Sequence, residues 1–265
     1  MDSGGGEDLS VLLEFAVQAA QAAGALTLRH FGGRVADQAK ADGTPVTTAD
    51  QEAERILREQ ILARFPHDGI LGEEGGHGSP GRSGRRWIVD PIDGTRAFMR
   101  GVPLYAVLVA LERGGVPVLG VAHFPALGET VAAAEGQGCY RDGIRCRVNQ
   151  VRHLQDAVAL TSDPGFTAVS PVGPGWSRLT AQVSYTRSWG DAYGHCMVAT
   201  GRAEIMLDPA ELAPWDAAPL LPILREAGGR FTDLAGNETV HGGSGLSTNG
   251  LLHSAVMDTL CPDGA

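Results

Sequence analysis

The stretch Trp87 to Phe98, WIVDPIDGTRAF, decides how the rest of the chain is interpreted. It starts as an apolar run and then places Asp90 and Asp93 three residues apart, directly ahead of Gly94 and Thr95. Because Asp, Pro and Gly are also the residues of ordinary turns, a plain turn after a strand explains this motif equally well. A functional interpretation therefore needs further carboxylates elsewhere in the chain.

Acidic residues at the ends of other apolar runs supply that support. Glu73 and Glu74 close the preceding run in LGEEGG, and Asp216 opens an apolar helix in PWDAAPLL. Taken singly, the glutamates fit a solvated loop, and Asp216 fits an acid favoured by the helix dipole. Glu73 and Asp216, together with Asp90 and Asp93, form the oxygen-only donor set that Mg²⁺ or Mn²⁺ prefers. The histidines include no H-E-x-x-H or comparable pair, which disfavours zinc.

Composition excludes several classes of protein. The 265 residues are enough for one large domain or two closely joined halves. A net charge of −10 disfavours nucleic acid as a partner, although bound cations can bring a phosphorylated metabolite to an acidic protein. No stretch approaches the run of about 20 uncharged apolar residues that a membrane span needs, so a membrane is not expected as a partner.

The N-terminus and the cysteines bear on the cellular compartment. The segment MDSGGGEDLS has neither a basic start nor an apolar stretch, and residues 1–8 are expected to form a disordered leader. The four cysteines show no spacing typical of a zinc site or a disulfide framework, and they are expected to be reduced. The cytoplasm is therefore the expected location.

Two helices and then a sheet are expected in the first half. LSVLLEFAVQAAQAAGALTLRH and TPVTTADQEAERILREQILARFP have the apolar spacing of helices and end at a glycine pair and at a proline. HGSPGRSGRR has no such spacing and is predicted to be a mobile loop. The segments Tyr105 to Phe124 and Glu129 to Asn149 alternate strand-like runs with Gly-Gly and Asp-Gly, which predicts successive antiparallel hairpins.

The second half is expected to alternate strands and helices. DAVALTS, EIMLD and RFTDLAG are predicted strands, whereas DAYGHCMVATGRA and WDAAPLLPILREAGG are predicted helices. This alternation predicts layers of helices and sheets. HGGSGLSTNG lacks the G-K-[ST] of a phosphate-binding P-loop, and it is predicted to be a surface turn.

Several of these motifs, in their order along the chain, resemble the inositol monophosphatase family. They are TPVTTAD, GEE, WIVDPIDGT, PWDAAP and REAGGRFTD, and the resemblance extends roughly from Leu9 to Leu252. It implies an α/β layered fold, αβαβα, with mixed and antiparallel sheets. It also implies a single domain over 9–265, with packed halves at about 9–150 and 151–265, that hydrolyses phosphate monoesters with Mg²⁺ and forms a homodimer.

The resemblance assigns metal ligands to individual residues. Glu73, Asp90 and the backbone carbonyl of Ile92 are expected to bind one metal ion, and Glu73 is also expected to take part in catalysis. Asp90, Asp93 and Asp216 are expected to bind a second ion. An Asp that bridges two cations about 3.5 to 4 Å apart would clamp them on the phosphoryl group, and the site is expected to hold about two or three ions, with Mn²⁺ able to replace Mg²⁺.

Further residues are expected to position the water and the phosphate. Thr95 and Asp50 resemble the hydroxyl and acid that orient the attacking water, and Gly94 and Thr95 would donate backbone N–H groups to the phosphate. Lys40 and Glu74 are expected to lie behind these groups. A phosphorylated aspartate is the alternative chemistry, but it needs a D-x-D motif. The spacing here is D-x-x-D, which predicts direct attack by water.

Substrate choice is expected to depend on the second half. Its W-G-D-x-Y-G resembles the histidinol-phosphate phosphatase branch of the family, and the resemblance implies that the substrate contacts Gly190, Asp191, Ala192 and Asp208. A carboxylate at Asp191 suits an ammonium group, and a charge-assisted contact of this kind contributes about 1.5 to 3 kcal/mol. The alternative role of Asp191 is to cap the following helix.

Two other functions remain open from the sequence. An inositol-1-phosphate phosphatase would share the metal motifs and differ in a few substrate contacts. A non-catalytic module that binds metal or sugar phosphate is disfavoured, because every expected metal-site position holds a competent residue. The expected partner is in each case a small phosphorylated metabolite.

Overall fold

A computed structural model describes residues 8–32, 38–39, 45–46, 48–76, 81–210 and 212–261. Residues 1–7 of the expected leader and Lys40 lie outside this range. The described part of the chain contains eight α-helices. They are α1 (Leu9–Thr27), α2 (Thr48–Arg64), α3 (Thr95–Met99), α4 (Pro164–Val169), α5 (Gly173–Thr180), α6 (Asp191–Ala199), α7 (Pro214–Glu226) and α8 (His253–Leu260).

Fourteen strands lie between and beside these helices in the same part of the chain. They are β1 (Gln38–Ala39), β2 (Pro45–Val46), β3 (Gly69–Gly72), β4 (Arg85–Asp93), β5 (Ala106–Arg113), β6 (Val116–Phe124), β7 (Glu129–Ala134), β8 (Gly138–Arg141), β9 (Ile144–Cys146), β10 (Val158–Thr161), β11 (Tyr185–Arg187), β12 (Ile205–Asp208), β13 (Arg230–Thr232) and β14 (Gly245–Thr248).

Two large sheets divide the fold into layers. Seven strands, β3 to β9 in sequence order, form one sheet that is antiparallel apart from the parallel pair β3 and β4. The other is a mixed sheet in the order β11-β10-β12-β14-β13. Helices α1 and α2 cover the first sheet, α6 and α7 lie between the sheets, and α5 and α8 cover the second. The expected αβαβα layering is confirmed.

The hairpins predicted for the first half are present. β5 pairs with β6, β7 with β8 and β8 with β9, all antiparallel. The last of these pairings places Cys139 opposite Cys146, with 3.4 Å between the two sulfur atoms, and both thiols are free. In the segment predicted to be a mobile loop, residues 77–80 lie outside the described residues, and Arg85 and Arg86 belong to β4.

One prediction about the end of the chain is wrong. HGGSGLSTNG was expected to be a surface turn, but its residues Gly245 to Thr248 form β14, an inner strand of the mixed sheet that is fully buried. The small residues suit this place, since a Cβ at Gly245 would come within 2.6 Å of Leu212 and 3.1 Å of Phe231. A glycine-rich segment therefore packs here where larger side chains would not fit.

The first helix is more apolar than expected. By length and composition alone, α1 could cross a membrane, with 19 residues and a mean hydropathy of 1.4, and it is the one such helix among the described residues. Leu12, Ala16 and Ala20 on this helix are fully buried, in a cluster shared with α2 and the seven-stranded sheet. This packing is typical of a core helix.

Candidate active site

A β-bulge near the end of β4 explains the D-x-x-D spacing. Residues three apart on a regular strand point to opposite faces of the sheet. Here Asp90 pairs with Leu108 and Asp93 pairs with Ala106, so β4 has one residue more than β5 over this stretch. A one-residue bulge restores the alternation and lets both carboxylates face the same side. The two aspartates are therefore neighbours on a bulged strand, not on a helical turn.

Three carboxylates meet at this bulge. Single oxygens of Asp90, Asp93 and Asp216 lie within 4.8 Å of one another. Burial raises the pKa of Asp90 well above its usual value, and the negative charges of Glu73, Asp216 and Asp93 raise it further. Burial likewise raises the pKa of Asp93, followed by the charge of Asp191. Neighbouring acids that repel one another in a buried place are stabilised when a cation binds between them.

Asp216 combines a place in this cluster with a structural role. Its Oδ2 accepts a hydrogen bond of 2.8 Å from the N–H of Ala213, which precedes α7, and Pro214 begins the helix. The helix-terminal role considered for Asp216 is thus present beside its metal-site geometry. Burial raises the pKa of Asp216 to about 7, although the Ala213 N–H opposes that rise.

Glu73 reaches the cluster from a loop that follows β3. Because β3 and β4 are parallel, their ends lie side by side, and Gly72 pairs with Val89. Glu54 of α2 holds this loop, and its buried carboxylate was not expected from the sequence. Glu54 accepts hydrogen bonds from the backbone N–H of Glu74 at 2.7 Å and of Gly75 at 2.8 Å. It also pairs with Arg58 at 2.6 Å.

Two glycines make room for that carboxylate. A Cβ at Gly72 or Gly75 would come closer than 3.0 Å to Glu54. Glu54 lies four residues after Asp50 on α2, and both acids are buried. A buried acid on an otherwise apolar helix face is the signal that could have revealed Glu54 in the sequence, because charged residues are rarely buried without a partner.

The residues after Asp93 turn the chain into α3. Gly94 precedes this helix with φ of +78°, a conformation that favours glycine, and a Cβ there would approach Asp191 Oδ2 to 3.0 Å. The hydroxyl of Thr95 donates a hydrogen bond of 3.1 Å to the carbonyl of Ile92. The N–H of Ile92 in turn donates to Asp90 Oδ1 at 2.9 Å. The expected ligand carbonyl and the expected catalytic hydroxyl are therefore in contact.

Asp191 lies against this turn from the other half of the chain. It is the first residue of α6 and has φ of +55°, which is unusual for a residue other than glycine. Gly190 precedes the helix, and no side chain caps it, so Asp191 does not act as the N-cap that was considered. The N–H of Ala192 donates to Asp93 Oδ2 at 2.9 Å. Burial, followed by the charge of Asp208, raises the pKa of Asp191 to about 6.

Asp208 is part of a hydrogen-bonded network behind Asp191. Its Oδ1 accepts from the hydroxyl of Ser162 at 2.6 Å, and its Oδ2 lies 3.1 Å from Nε2 of the fully buried His195. Nδ1 of His195 lies 2.7 Å from the hydroxyl of Ser247 on β14. Ser162 also accepts from the N–H of Asp191 at 2.7 Å. Both oxygens of Asp208, expected to contact the substrate, thus already have protein partners.

One cavity of about 690 Å³ joins these groups. Most of the expected site residues line it: Glu73, Asp90, Ile92, Asp93, Gly94, Thr95, Gly190, Asp191, Ala192, Asp208 and Asp216. Asp50 and Glu74 do not line it in the described part of the chain, and Lys40 lies outside the described residues. The exposed Arg96 also lines it, and its charge lowers the pKa of Asp191. Sequence reasoning missed Arg96, Ser162 and His195.

The donor set of the cluster fits a divalent metal ion. All its ligand atoms are carboxylate oxygens, the donors that Mg²⁺ and Mn²⁺ prefer. The cluster found among the described residues consists of aspartates alone.

Comparisons with known proteins agree with this geometry. Residues 8–262 match the profile of the inositol monophosphatase family. A protein named histidinol-phosphatase from Chlorobaculum parvum is 43% identical over 88% of this chain and 90% of its own length. Another histidinol-phosphatase, from Mycobacterium tuberculosis, is 40% identical over 94% of this chain and 97% of its own.

More distant matches carry other names. An inositol-1-monophosphatase from Rhizobium meliloti is 36% identical over 95% of this chain and 96% of its own length. The solved structure of the extragenic suppressor protein suhB from Bartonella henselae superposes with a TM-score of 0.88 at 31% identity, covering 96% of this chain and 99% of that one. The resemblance found in the sequence motifs is confirmed.

Proposed function

The chain belongs to the inositol monophosphatase family, and from that membership we propose that it hydrolyses L-histidinol phosphate to L-histidinol and phosphate, a step of histidine biosynthesis. It is a phosphatase, a phosphoric monoester hydrolase. The relatives at 43% and 40% identity are named histidinol-phosphatase. The observation that carries the substrate proposal is the carboxylate of Asp191, which lines the same cavity as the acidic cluster.

Asp191 suits an amino alcohol phosphate better than a polyol phosphate. L-Histidinol phosphate carries an ammonium group close to its phosphate ester, whereas inositol phosphate offers hydroxyl groups. An ionised carboxylate next to Gly94 would pair with the ammonium group while the phosphate lies at the cluster. Such a contact is worth roughly ten- to a hundredfold in discrimination.

Mg²⁺ is the metal that we propose for the cluster. Glu73, Asp90, Asp93, Asp216 and the carbonyl of Ile92 would hold it. When bound, such ions neutralise the phosphoryl oxygens and lower the pKa of a coordinated water. EDTA treatment followed by Mg²⁺ alone should remove and restore phosphate release, and failure of Mg²⁺ to restore it would contradict the proposed metal.

The chain's own groups would supply orientation around that metal site. Gly94 precedes α3 and Thr95 begins it, and backbone N–H groups at a helix N-terminus have no partner within the helix, so these two are the proposed donors to the phosphate oxygens. The hydroxyl of Thr95, held at the Ile92 carbonyl, is the proposed contact of the attacking water. The buried acid Asp50, which does not line the cavity, would act through Thr95.

The decisive experiment compares two esters. Phosphate release from L-histidinol phosphate and myo-inositol 1-phosphate is measured with Mg²⁺ at matched concentrations. We expect strong preference for L-histidinol phosphate, and a loss of that preference by roughly ten- to a hundredfold in Asp191→Asn. Asparagine also tolerates a positive φ, so the backbone should be unchanged. An equal loss on both esters would contradict the recognition role.

Inositol-1-phosphate phosphatase is the second candidate. It is supported by the relative named inositol-1-monophosphatase, which is 36% identical, a lower value than for the two histidinol-phosphatases. Preference for myo-inositol 1-phosphate would establish it and leave the metal site unchanged. A non-catalytic module would release phosphate from neither ester.

We also propose that the protein is a homodimer in the cytoplasm. The homodimer is supported by the family membership. The cytoplasm is supported by the cysteines, whose thiols are free. Light scattering coupled to size-exclusion chromatography tests the first proposal, and cell fractionation tests the second. A monomer, or a membrane-associated fraction, would contradict them.

A further inference from the structure

The cavity has one aromatic wall residue that the proposed chemistry leaves without a role. Phe166 on α4 lines the cavity, and it is the one Phe, Tyr or Trp side chain to do so among the described residues. Its side chain is exposed, with 36% of the residue accessible. A large apolar ring at a ligand cavity is a common means of binding an apolar or aromatic part of a ligand.

The short helix that carries Phe166 is firmly anchored. The hydroxyl of Thr167, the next residue, lies 2.7 Å from the hydroxyl of Thr161 and also donates to the carbonyl of Asp163 at 2.8 Å. Asp163 Oδ1 accepts from the N–H of Phe166 at 3.0 Å, and Pro164 begins the helix. These buried and capping hydrogen bonds hold the backbone that carries the Phe166 ring at the cavity.

The same segment connects Phe166 to the proposed ammonium site. Ser162, four residues before Phe166, accepts from the N–H of Asp191 and donates to Asp208. Asp163 also lines the cavity beside the ring. One stretch of chain thus contacts Asp191 through Ser162 and also brings an aromatic ring and a carboxylate to the same cavity.

L-Histidinol phosphate has three recognisable parts. Its phosphate belongs at the acidic cluster and its ammonium at Asp191, and these assignments leave the imidazole ring without a partner. The remaining ring in the cavity, that of His195, is already engaged by Ser247 and Asp208. We propose that Phe166 is a specificity-determining residue whose ring stacks on the imidazole of the substrate. This inference rests on the proposed function and extends it to the third part of the ligand.

Stacking predicts a pattern across substrates. Aromatic pairs prefer offset or edge-to-face contact and contribute modestly beyond the area that they bury. Ring-bearing amino alcohol phosphates should therefore depend on Phe166, whereas an amino alcohol phosphate with a methyl side chain should not.

The experiment uses three esters with one shared amino alcohol phosphate group. They are L-histidinol phosphate, L-phenylalaninol phosphate and L-alaninol phosphate, and kcat/KM is measured with Mg²⁺ for the wild type, Phe166→Leu and Phe166→Trp. We expect Phe166→Leu to lower kcat/KM roughly three- to tenfold for the two ring-bearing esters and to change it less than about twofold for L-alaninol phosphate. Phe166→Trp should retain the wild-type preference.

Val169 provides a matched control on the same helix. It is 82% exposed and does not line the cavity, so Val169→Ala should leave all three values unchanged. Equal losses on all three esters in Phe166→Leu, or no loss on any, would overturn the stacking role. Wild-type protein that hydrolyses myo-inositol 1-phosphate and none of the amino alcohol esters would overturn the proposed function, and the ring contact with it. The substrate panel therefore separates the two failures.

Discussion

Two walls of the cavity carry carboxylates, and they differ in how the negative charge of these carboxylates is compensated. At the β4 bulge, Asp90 and Asp93 lie beside Asp216, and their pKa values are raised by burial and by one another. Across the cavity, Asp208 has a hydroxyl on one oxygen and an imidazole on the other. The first, which we call the acidic wall, has more negative charge than the neighbouring hydrogen-bond donors compensate. In the second, the satisfied wall, both oxygens of Asp208 have a hydrogen-bonding partner in the protein.

This difference indicates different functions. A cluster of mutually repelling acids costs stability and is retained where a cation is needed. A satisfied network contributes stability and fixes the groups attached to it, here Asp191 through Ser162. Substitutions should therefore have opposite effects on the two walls. In the acidic wall, a substitution should abolish most activity and make the metal-free protein more stable. In the satisfied wall, a substitution should lower stability and leave most of the activity.

Asp90→Asn should give the largest effect. Removing the carboxylate at the centre of the cluster should lower kcat by about a thousandfold or more, because several kcal/mol of charge stabilisation at the phosphoryl group are lost. The same substitution should raise the Tm of the EDTA-treated protein, since repulsion from Glu73, Asp216 and Asp93 is relieved. Phosphate release and differential scanning calorimetry measure the two quantities. A lowered metal-free Tm would contradict the contrast between the walls.

Glu54→Gln should give the next effect. Glu54 accepts hydrogen bonds from the N–H groups of Glu74 and Gly75, so its loss should displace the neighbouring Glu73 and weaken Mn²⁺ binding by about ten- to a hundredfold. Mn²⁺ binding is measured by electron paramagnetic resonance, independently of activity.

A second ion pair on the same helix provides the control for Glu54. Glu59 and Arg55 form a pair of 2.7 Å with the same spacing, but both are exposed. Glu59→Gln should leave Mn²⁺ affinity unchanged, because exposed pairs contribute little. Equal Mn²⁺ affinities for the two variants would show that the acidic wall does not depend on its support from α2.

The closeness of Asp90 and Asp93 could be predicted from the sequence because the two residues are local to one another. Asp90 and Asp93 belong to one short motif, and Glu73 follows the neighbouring strand. The spacing alone did not reveal the bulge, since strand register depends on β5. The satisfied wall was harder to predict. Its contacts join residues far apart in the chain, such as Ser162 to Asp208.

Other misses have the same physical origin. β14 was missed because glycine and small residues usually indicate turns, and only packing against Leu212 and Phe231 shows why an inner strand needs them. Glu54 was missed because its partners are backbone N–H groups, which have no identity in a sequence. Layering and strand pairing in the first half could be predicted, because hydrophobic periodicity and turn residues determine them.

Asp208→Asn tests the satisfied wall and should have a smaller effect on catalysis. An amide must present its NH₂ to either Ser162 or His195, so one buried hydrogen bond is lost at a cost of about 1 to 3 kcal/mol. We expect Tm to fall by several degrees, kcat/KM for L-histidinol phosphate to fall less than about tenfold, and Mn²⁺ affinity to stay unchanged. A large rise in KM without loss of Tm would instead support the direct substrate contact expected from the sequence.

The smallest expected effect concerns how the stability of the metal-free protein depends on pH. Burial raises the pKa of Asp216 to about 7, so between the usual value near 4 and about 7 the folded protein binds more protons than the unfolded chain. The contribution of Asp216 to the free energy of unfolding therefore increases as pH falls from 8 to 6. It amounts to about 1 kcal/mol, or roughly 2 to 4 °C in Tm. Mg²⁺ should stabilise the protein more at pH 8, because protons and metal ions compete for the same oxygens.

The comparison with Asp216→Asn separates the contribution of the acidic cluster from that of His253, which has the opposite sign. The variant also removes the rise in pKa that the charge of Asp216 causes at Asp90 and Asp93, and this change has the same sign as the loss of Asp216 itself. Burial lowers the pKa of His253 to about 4, so its contribution to stability is lost as pH falls below its unfolded value near 6.5. That loss is the same in the wild type and in Asp216→Asn, and it cancels in the difference. In EDTA, the change in Tm from pH 8 to pH 6 should thus be more positive for the wild type. Equal changes in the two proteins would mean that Asp216 is compensated by the protein in the same way as Asp208, and the contrast between the walls would not extend to this residue.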